Sequence, residues 1–171
     1  MKSLLLFSMG LGVVGLSACS STQNPPPNPI PSDRTSVAQL AGTWNMNFTL
    51  STALTDRIYL SEIEASTRDA NEFYIWGMNK AGEVALGWYD AETSEYVITS
   101  EFKDVTQFYE FSSIASDGRV SGNTWFASES GFSDDYAFTG QRTLGTASVK
   151  TSRARIEAAQ LFEKLKADRH K

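Results

Sequence analysis

Eight short runs of alternating apolar and polar residues, joined by brief turn-rich links, constrain this chain more than any other feature. They cover Thr43 to Leu50, Arg57 to Ala65, Glu72 to Met78, Glu83 to Asp90, Glu95 to Phe102, Thr106 to Ser113, Arg119 to Ala127 and Asp135 to Thr143. The period of two is that of a strand with one face buried. Links such as Asn79-Lys80-Ala81-Gly82, Asp90-Ala91-Glu92-Thr93 and Ser116-Asp117-Gly118 are too short for crossovers and imply antiparallel hairpins. No helical period interrupts the series. A meander of this length leaves two raw edges unless it closes. The predicted fold is therefore all-β, an up-and-down antiparallel β-barrel of about eight strands. Ten Phe, six Tyr and four Trp suit such half-buried pleated surfaces.

Parity within the runs predicts the inward faces. Trp44, Met46, Phe48 and Leu50 share one face of the first run. In the third, either Phe73 and Ile75 or Tyr74 and Trp76 face inward. Val84, Leu86 and Trp88 align in the fourth, Tyr96, Ile98 and Phe102 in the fifth, and Tyr136, Phe138 and Arg142 in the last. A slip of one residue exchanges the faces of a whole strand. A closed barrel of this size fills with side chains or holds one small ligand. Met46, Phe48, Phe73, Ile75, Leu86, Trp88, Tyr96, Ile98 and Phe138 are accordingly read as core or as ligand lining, and both readings stay open.

Ahead of the runs stand two segments of different character. Met1-Lys2-Ser3 and an apolar stretch from Leu4 to Leu16 form a positive start and a hydrophobic run shorter than the ~20 residues of a membrane span. All five prolines then fall between residues 25 and 32, in a segment that builds no core and favours extended geometry, as a tether does. The chain's one cysteine, Cys19, lies between the two.

After the runs, Thr151 to His170 is rich in Ala, Glu, Lys, Leu and Arg and predicts a helix. Ile156, Ala159, Leu161, Phe162 and Leu165 form an amphipathic stripe expected to pack on the barrel wall. Docking on a partner or on a membrane surface is the alternative. The domain boundaries expected are 1–18 for a leader, 19–38 for Cys19 and the tether, 39–146 for the barrel and 147–171 for the helix.

Charge and residue inventory narrow the chemistry. A net charge of −5 with no basic cluster argues against nucleic acid. Arg153, Arg155, Lys164, Lys166, Arg169 and Lys171 alternate with acids and read as a solvated helix face. One cysteine forms no disulfide within the chain. His170, the one histidine, sits next to the C-terminus, a poor place for a catalytic triad or for a zinc site. Two carboxylate pairs, Glu62 with Glu64 and Asp134 with Asp135, read as solvated faces and turns, with Arg57 or Arg68 placed to neutralise the first. No metal, no cofactor and no catalytic residue is expected, and the chain reads as non-enzymatic.

Two resemblances add to this. Leu16-Ser17-Ala18-Cys19 resembles the bacterial lipobox: a large aliphatic residue, two small residues, then the modified cysteine. The resemblance implies cleavage between Ala18 and Cys19, a diacylglyceryl thioether on Cys19 and a further acyl chain, such as palmitate, on the new amine. At about 0.8 kcal/mol per buried methylene, several chains anchor stably. Ser20, not an aspartate, follows the cysteine, which in lipoproteins of this kind implies the outer membrane. Leu40-Ala41-Gly42-Thr43-Trp44 resembles the Gly-x-Trp opening of calycins, the lipocalin and avidin type of barrel. In that family the tryptophan closes one barrel end and a basic residue of the last strand packs over its indole. Arg142 stands at the matching position here. The segment from Trp125 to Phe132, followed by Phe138 to Arg142, is also similar to the closing strands of transferrin-binding-protein-like barrels.

The function these readings imply is a lipid-anchored envelope protein whose barrel binds a small apolar ligand or a protein partner. The alternatives are a surface lipoprotein with a filled barrel that binds proteins through its loops, and an envelope-assembly protein that docks through its C-terminal helix.

Overall fold

A computed structural model describes residues 33–49, 55–67, 69–145 and 154–169. The expected leader, the cleavage point at Ala18, Cys19, the proline segment, Leu50, Arg68 and His170 lie outside the described residues, as do the side chains of Ile156 and Ala159.

The chain forms a closed antiparallel barrel of eight strands plus one short extra strand. In chain order these are β1 (Gly42–Phe48), β2 (Thr55–Ala65), β3 (Phe73–Asn79), β4 (Val84–Asp90), β5 (Glu95–Phe102), β6 (Val105–Phe111), β7 (Arg119–Ser128), β8 (Gly131–Phe132) and β9 (Tyr136–Thr143). Each of β1 to β6 pairs with the next, β6 pairs with β7, and β7 pairs with β9. The seam closes where β9 meets β1, with Trp44 opposite Arg142 and Phe48 opposite Phe138. β8 adds a two-residue lip to β7.

Local chemistry fixes the links. The Asn79 carboxamide oxygen accepts from the Ala81 and Glu83 amides, and Gly82 takes the positive φ (+82°) that this turn requires. The Asp90 carboxylate accepts from the Glu92 and Thr93 amides in the next hairpin. In β2 the register shifts between Leu60 and Glu62, a bulge that moves the inward face from Ile58 and Leu60 to Ile63.

A helix α1 (Arg34–Ala38), N-capped by Asp33 through a 2.7 Å bond from the Ser36 amide, precedes the barrel. It falls where the sequence reads as tether. Val37 and Leu40 are fully buried and plug the barrel end beside Trp44, so the folded body begins before residue 39.

The core has two compartments. Inside the barrel, Trp44, Met46, Ile58, Leu60, Ile75, Tyr96, Ile98, Tyr109, Phe111 and Phe138 pack together. Outside it, Tyr74, Trp76, Leu86, Trp88, Val97, Phe108 and Trp125 form a second layer. The C-terminal helix α2 (Ala154–Arg169) covers this layer with Phe162 and Leu165. Phe162 meets Phe108 edge-on at 6.3 Å. Leu161, expected in the packing stripe, is exposed instead. Lys166 is not on a solvated face: it is buried and holds Asp90 at 2.6 Å.

Leu86 and Trp88 are corrected by this layer. They face outward, beneath α2, and Ala85, Gly87 and Tyr89 take the inward side of β4. The physical reason is space. A Cβ at Gly87 would meet the Ile75 and Leu40 side chains at 2.9 Å each, because α1 delivers Leu40 into this part of the barrel. Large residues therefore sit on the outer side of β4, where a helix waits for them.

Candidate ligand-binding cavity

The strands divide the interior into a filled end and a hollow end. β1 runs from the filled end, at Gly42, to the hollow one, at Phe48. At the filled end the Trp44 indole donates from Nε1 to the Leu40 carbonyl at 2.8 Å. The Arg142 guanidinium lies 5.9 Å from the centre of the Trp44 ring and donates from Nη1 to the Gln39 carbonyl. Phe111 packs against Trp44 (5.7 Å between ring centres) and Tyr96 against Phe111 (5.7 Å). Toward the middle, Gly140 leaves room for Met46, whose Sδ would lie 2.6 Å from a Cβ there. Buried side chains pack against one another at this level.

Tyr109 marks the boundary. Its ring stands edge-on to Phe138 at 5.1 Å on the filled side and 5.9 Å from Phe48 on the other. Beyond it opens a cavity of about 530 Å³. Phe48, Phe102, Val105, Phe126 and Phe132 supply its walls. Phe132 arrives on β8, the lip, and packs edge-on against Trp125 at 5.8 Å.

The floor is polar. Asp56 is 2% exposed, accepts from the Arg57 amide at 2.7 Å, and receives the Tyr109 hydroxyl at 3.3 Å. Burial pushes the Asp56 carboxyl up from its ordinary value, against hydrogen bonds from Ser100, the Arg57 amide and Tyr109 and the positive charge of Lys80. Burial and the Asp56 charge together push the Tyr109 phenol well above its ordinary value. Gln107, also buried, donates from Nε2 to the Thr124 hydroxyl at 2.9 Å. Asn79 bonds Ser100 at 3.2 Å. At the rim, Lys80 donates to the Thr55 carbonyl.

Of the residues that parity turns inward, Phe48 and Phe102 border this cavity. Met46, Ile75, Tyr96, Ile98 and Phe138 face inward but belong to the filled interior. Phe73 lies beside it, partly buried, with the Arg34 guanidinium 5.7 Å from its ring centre. Trp44 and Trp88 line nothing: one seals the far end and the other is outside the barrel. Asp56, Phe126, Gln107 and Phe132 are the residues that parity left unassigned. The run beginning at Arg57 stops one residue short of Asp56, although Asp56, Ile58 and Leu60 alternate correctly.

A second hollow, polar and on the outside of β1, β2 and β3, runs along Asn45, Arg57, Tyr59 and Met78. It shares Thr55, Asp56 and Lys80 with the barrel cavity, but its other lining residues are mostly polar where the barrel cavity has phenylalanines. Of the carboxylate pairs, Glu62 and Glu64 pair across to Trp76 and Tyr74, and Asp135 binds Arg169 of α2. No group of three metal-ligating side chains occurs among the described residues, and no described helix is long and apolar enough to cross a membrane. Compared with protein-family models, with curated proteins and with solved structures, the chain gives no match.

Proposed function

We propose that this chain is a lipid-anchored, non-enzymatic envelope protein that holds one small, largely apolar molecule in the open end of its barrel. The observation that carries the binding reading is the cavity walled by phenylalanines. Its volume of about 530 Å³ falls in the range of small-molecule sites, as do its apolar walls with a few placed polar groups. The barrel is not uniformly filled. Side chains and the segment around α1 pack one end, and the cavity lies toward the other.

The anchoring reading rests on the sequence alone: Lys2, the apolar run, and Leu16-Ser17-Ala18-Cys19 in register. With Ser20 after the cysteine, it points to the outer membrane. The likeness of Gly42-Thr43-Trp44 and Arg142 to the calycin closure is supported by the packing of these two side chains at the filled end.

The test is native mass spectrometry of the mature chain carrying Cys19→Ser, purified without detergent from its own host. One apolar molecule per chain, displaced from Phe126→Trp, is the expected result. A clean apo mass together with no uptake of added apolar probes overturns the binding reading and leaves a barrel that works through its surface.

A further inference from the structure

Resting on the cavity reading, we infer that the ligand carries a primary amine on an apolar body, and that its ammonium is held on the Asp56 carboxylate at the cavity floor.

The floor presents acceptors. Asp56 contributes two carboxylate oxygens, which accept from the Tyr109 hydroxyl at 3.3 Å, the Arg57 amide at 2.7 Å and the Ser100 hydroxyl, all of them neutral donors. Gln107, which lines the same cavity, donates its amide nitrogen to Thr124, which leaves its amide oxygen as a further acceptor. The Lys80 ammonium, at the rim, donates to the Thr55 carbonyl and makes no ion pair with Asp56. A ligand head that complements this floor brings several N–H donors and no lone pairs, which describes an ammonium and not a carboxylate or phosphate.

Charge points the same way. Asp56 is almost fully buried, yet none of the ion pairs among the described residues includes it. Lys80 acts on it only at a distance. A buried carboxylate without a cation is costly, and a ligand cation supplies the missing partner in a water-poor site. The walls suit such a ligand. Phe48, Phe102 and Phe126 offer faces to the methylenes next to an ammonium and to the ammonium itself. A hydrocarbon without a head would leave Asp56 desolvated and unpaired, so the site discriminates against it.

The experiment is calorimetric titration of the mature chain carrying Cys19→Ser with three probes of one body, octylamine, octanol and octanoate. Octylamine is expected to bind at least tenfold more tightly than octanol, with octanoate weakest. Asp56→Asn is expected to lower octylamine affinity at least tenfold while octanol binding is kept, which also certifies the fold of the variant. Octanol or octanoate binding as tightly as octylamine, or Asp56→Asn binding octylamine like the parent, overturns the amine assignment while the cavity stands. If no probe binds, the cavity reading itself falls and the amine assignment with it.

Discussion

The Arg142 guanidinium sits over the Trp44 indole, 5.9 Å from its centre, across the seam where β9 meets β1. This contact adds a side-chain link to the β1–β9 ladder and covers the filled end of the barrel. Both side chains also tie down the segment that leads out of α1, through Leu40 and Gln39. Trp44→Ala is expected to lower stability by about 3–5 kcal/mol, as truncation of a buried aromatic does. Arg142→Ala is expected to cost about 1–2 kcal/mol, from the ring contact and one charged hydrogen bond. Chemical denaturation of both variants checks this. A Trp44→Ala loss below about 1 kcal/mol would place the tryptophan outside the core.

The two ends of the barrel should respond differently to the same change. Phe138 is buried between Tyr109 and Phe111, whereas Phe126 is half-buried and borders the cavity. Phe138→Ala is predicted to cost about 3–5 kcal/mol, and Phe126→Ala less than about 2 kcal/mol, since its ring already faces open space on one side. Equal losses at the two sites would mean that both ends are filled. The comparison is a pair of urea midpoints.

Asp56 sets a pH dependence of unusual sign for a carboxylate. Its folded-state pKa lies above the unfolded one because burial outweighs the bonds from Tyr109, Ser100 and the Arg57 amide and the charge of Lys80. The stabilisation this gives is complete below the unfolded value and is lost as pH rises through the folded one. Wherever Asp56 is ionised, its burial therefore costs stability. Asp56→Asn is expected to raise the melting temperature by a few degrees at neutral pH, with the gain shrinking as the solution is acidified. A variant less stable than the parent at neutral pH would contradict this.

Much of this architecture is written in the sequence. Period-two runs and short Gly-, Asn- and Asp-containing links carry the strand order, and parity carries the inward placement of Trp44, Met46, Phe48, Ile98 and Phe138. Parity fails where both faces of a strand are apolar. In β4 the bulky set Leu86 and Trp88 looks like core and is core, but of the outer compartment under α2. Nothing local to residues 84–90 says that a helix more than sixty positions later will cover them. The cavity floor was illegible for another reason: Asp56 and Gln107 are polar residues at inward positions, and an alternation test discards such residues instead of reading them as a site. In β2 the spacing of Ile58, Leu60 and Ile63 did carry the sign of a bulge.

The latch of α2 should weaken in acid. Burial pushes the Asp90 carboxyl up, but the Lys166 ammonium, with the Thr93 and Glu92 amides, outweighs it and holds the group below its ordinary value. The stability this contributes is present above the unfolded pKa and lost as pH falls through the folded one. Lys166→Ala strands Asp90 and is predicted to weaken docking of α2 by about 3 kcal/mol, toward the lower end for a broken buried pair because two amides remain. Hydrogen exchange of residues 160–169 in both proteins, against unchanged protection in β1 and β9, reports it. Protection that is unaltered in the variant would show that Phe162 alone holds the helix.

Anchoring has its own test. Expressed in a bacterium that processes lipoproteins, the chain is expected to incorporate labelled palmitate, shorten by residues 1–18 and sediment with outer membranes. Cys19→Ala is expected to abolish all three. A Cys19→Ala chain that is still shortened at the same bond would mean an ordinary secretory leader.

The most direct measurement of the central claim, that the open end of the barrel is the ligand site, is a residue-resolved NMR titration of the mature chain carrying Cys19→Ser with octylamine. The account predicts shift changes gathered at Phe48, Asp56, Phe102, Val105 and Phe126, with Trp44 at the filled end and Phe162 on the outer face unmoved. Changes centred on Trp88, Trp125 and α2, or none at all in the barrel interior, would contradict it.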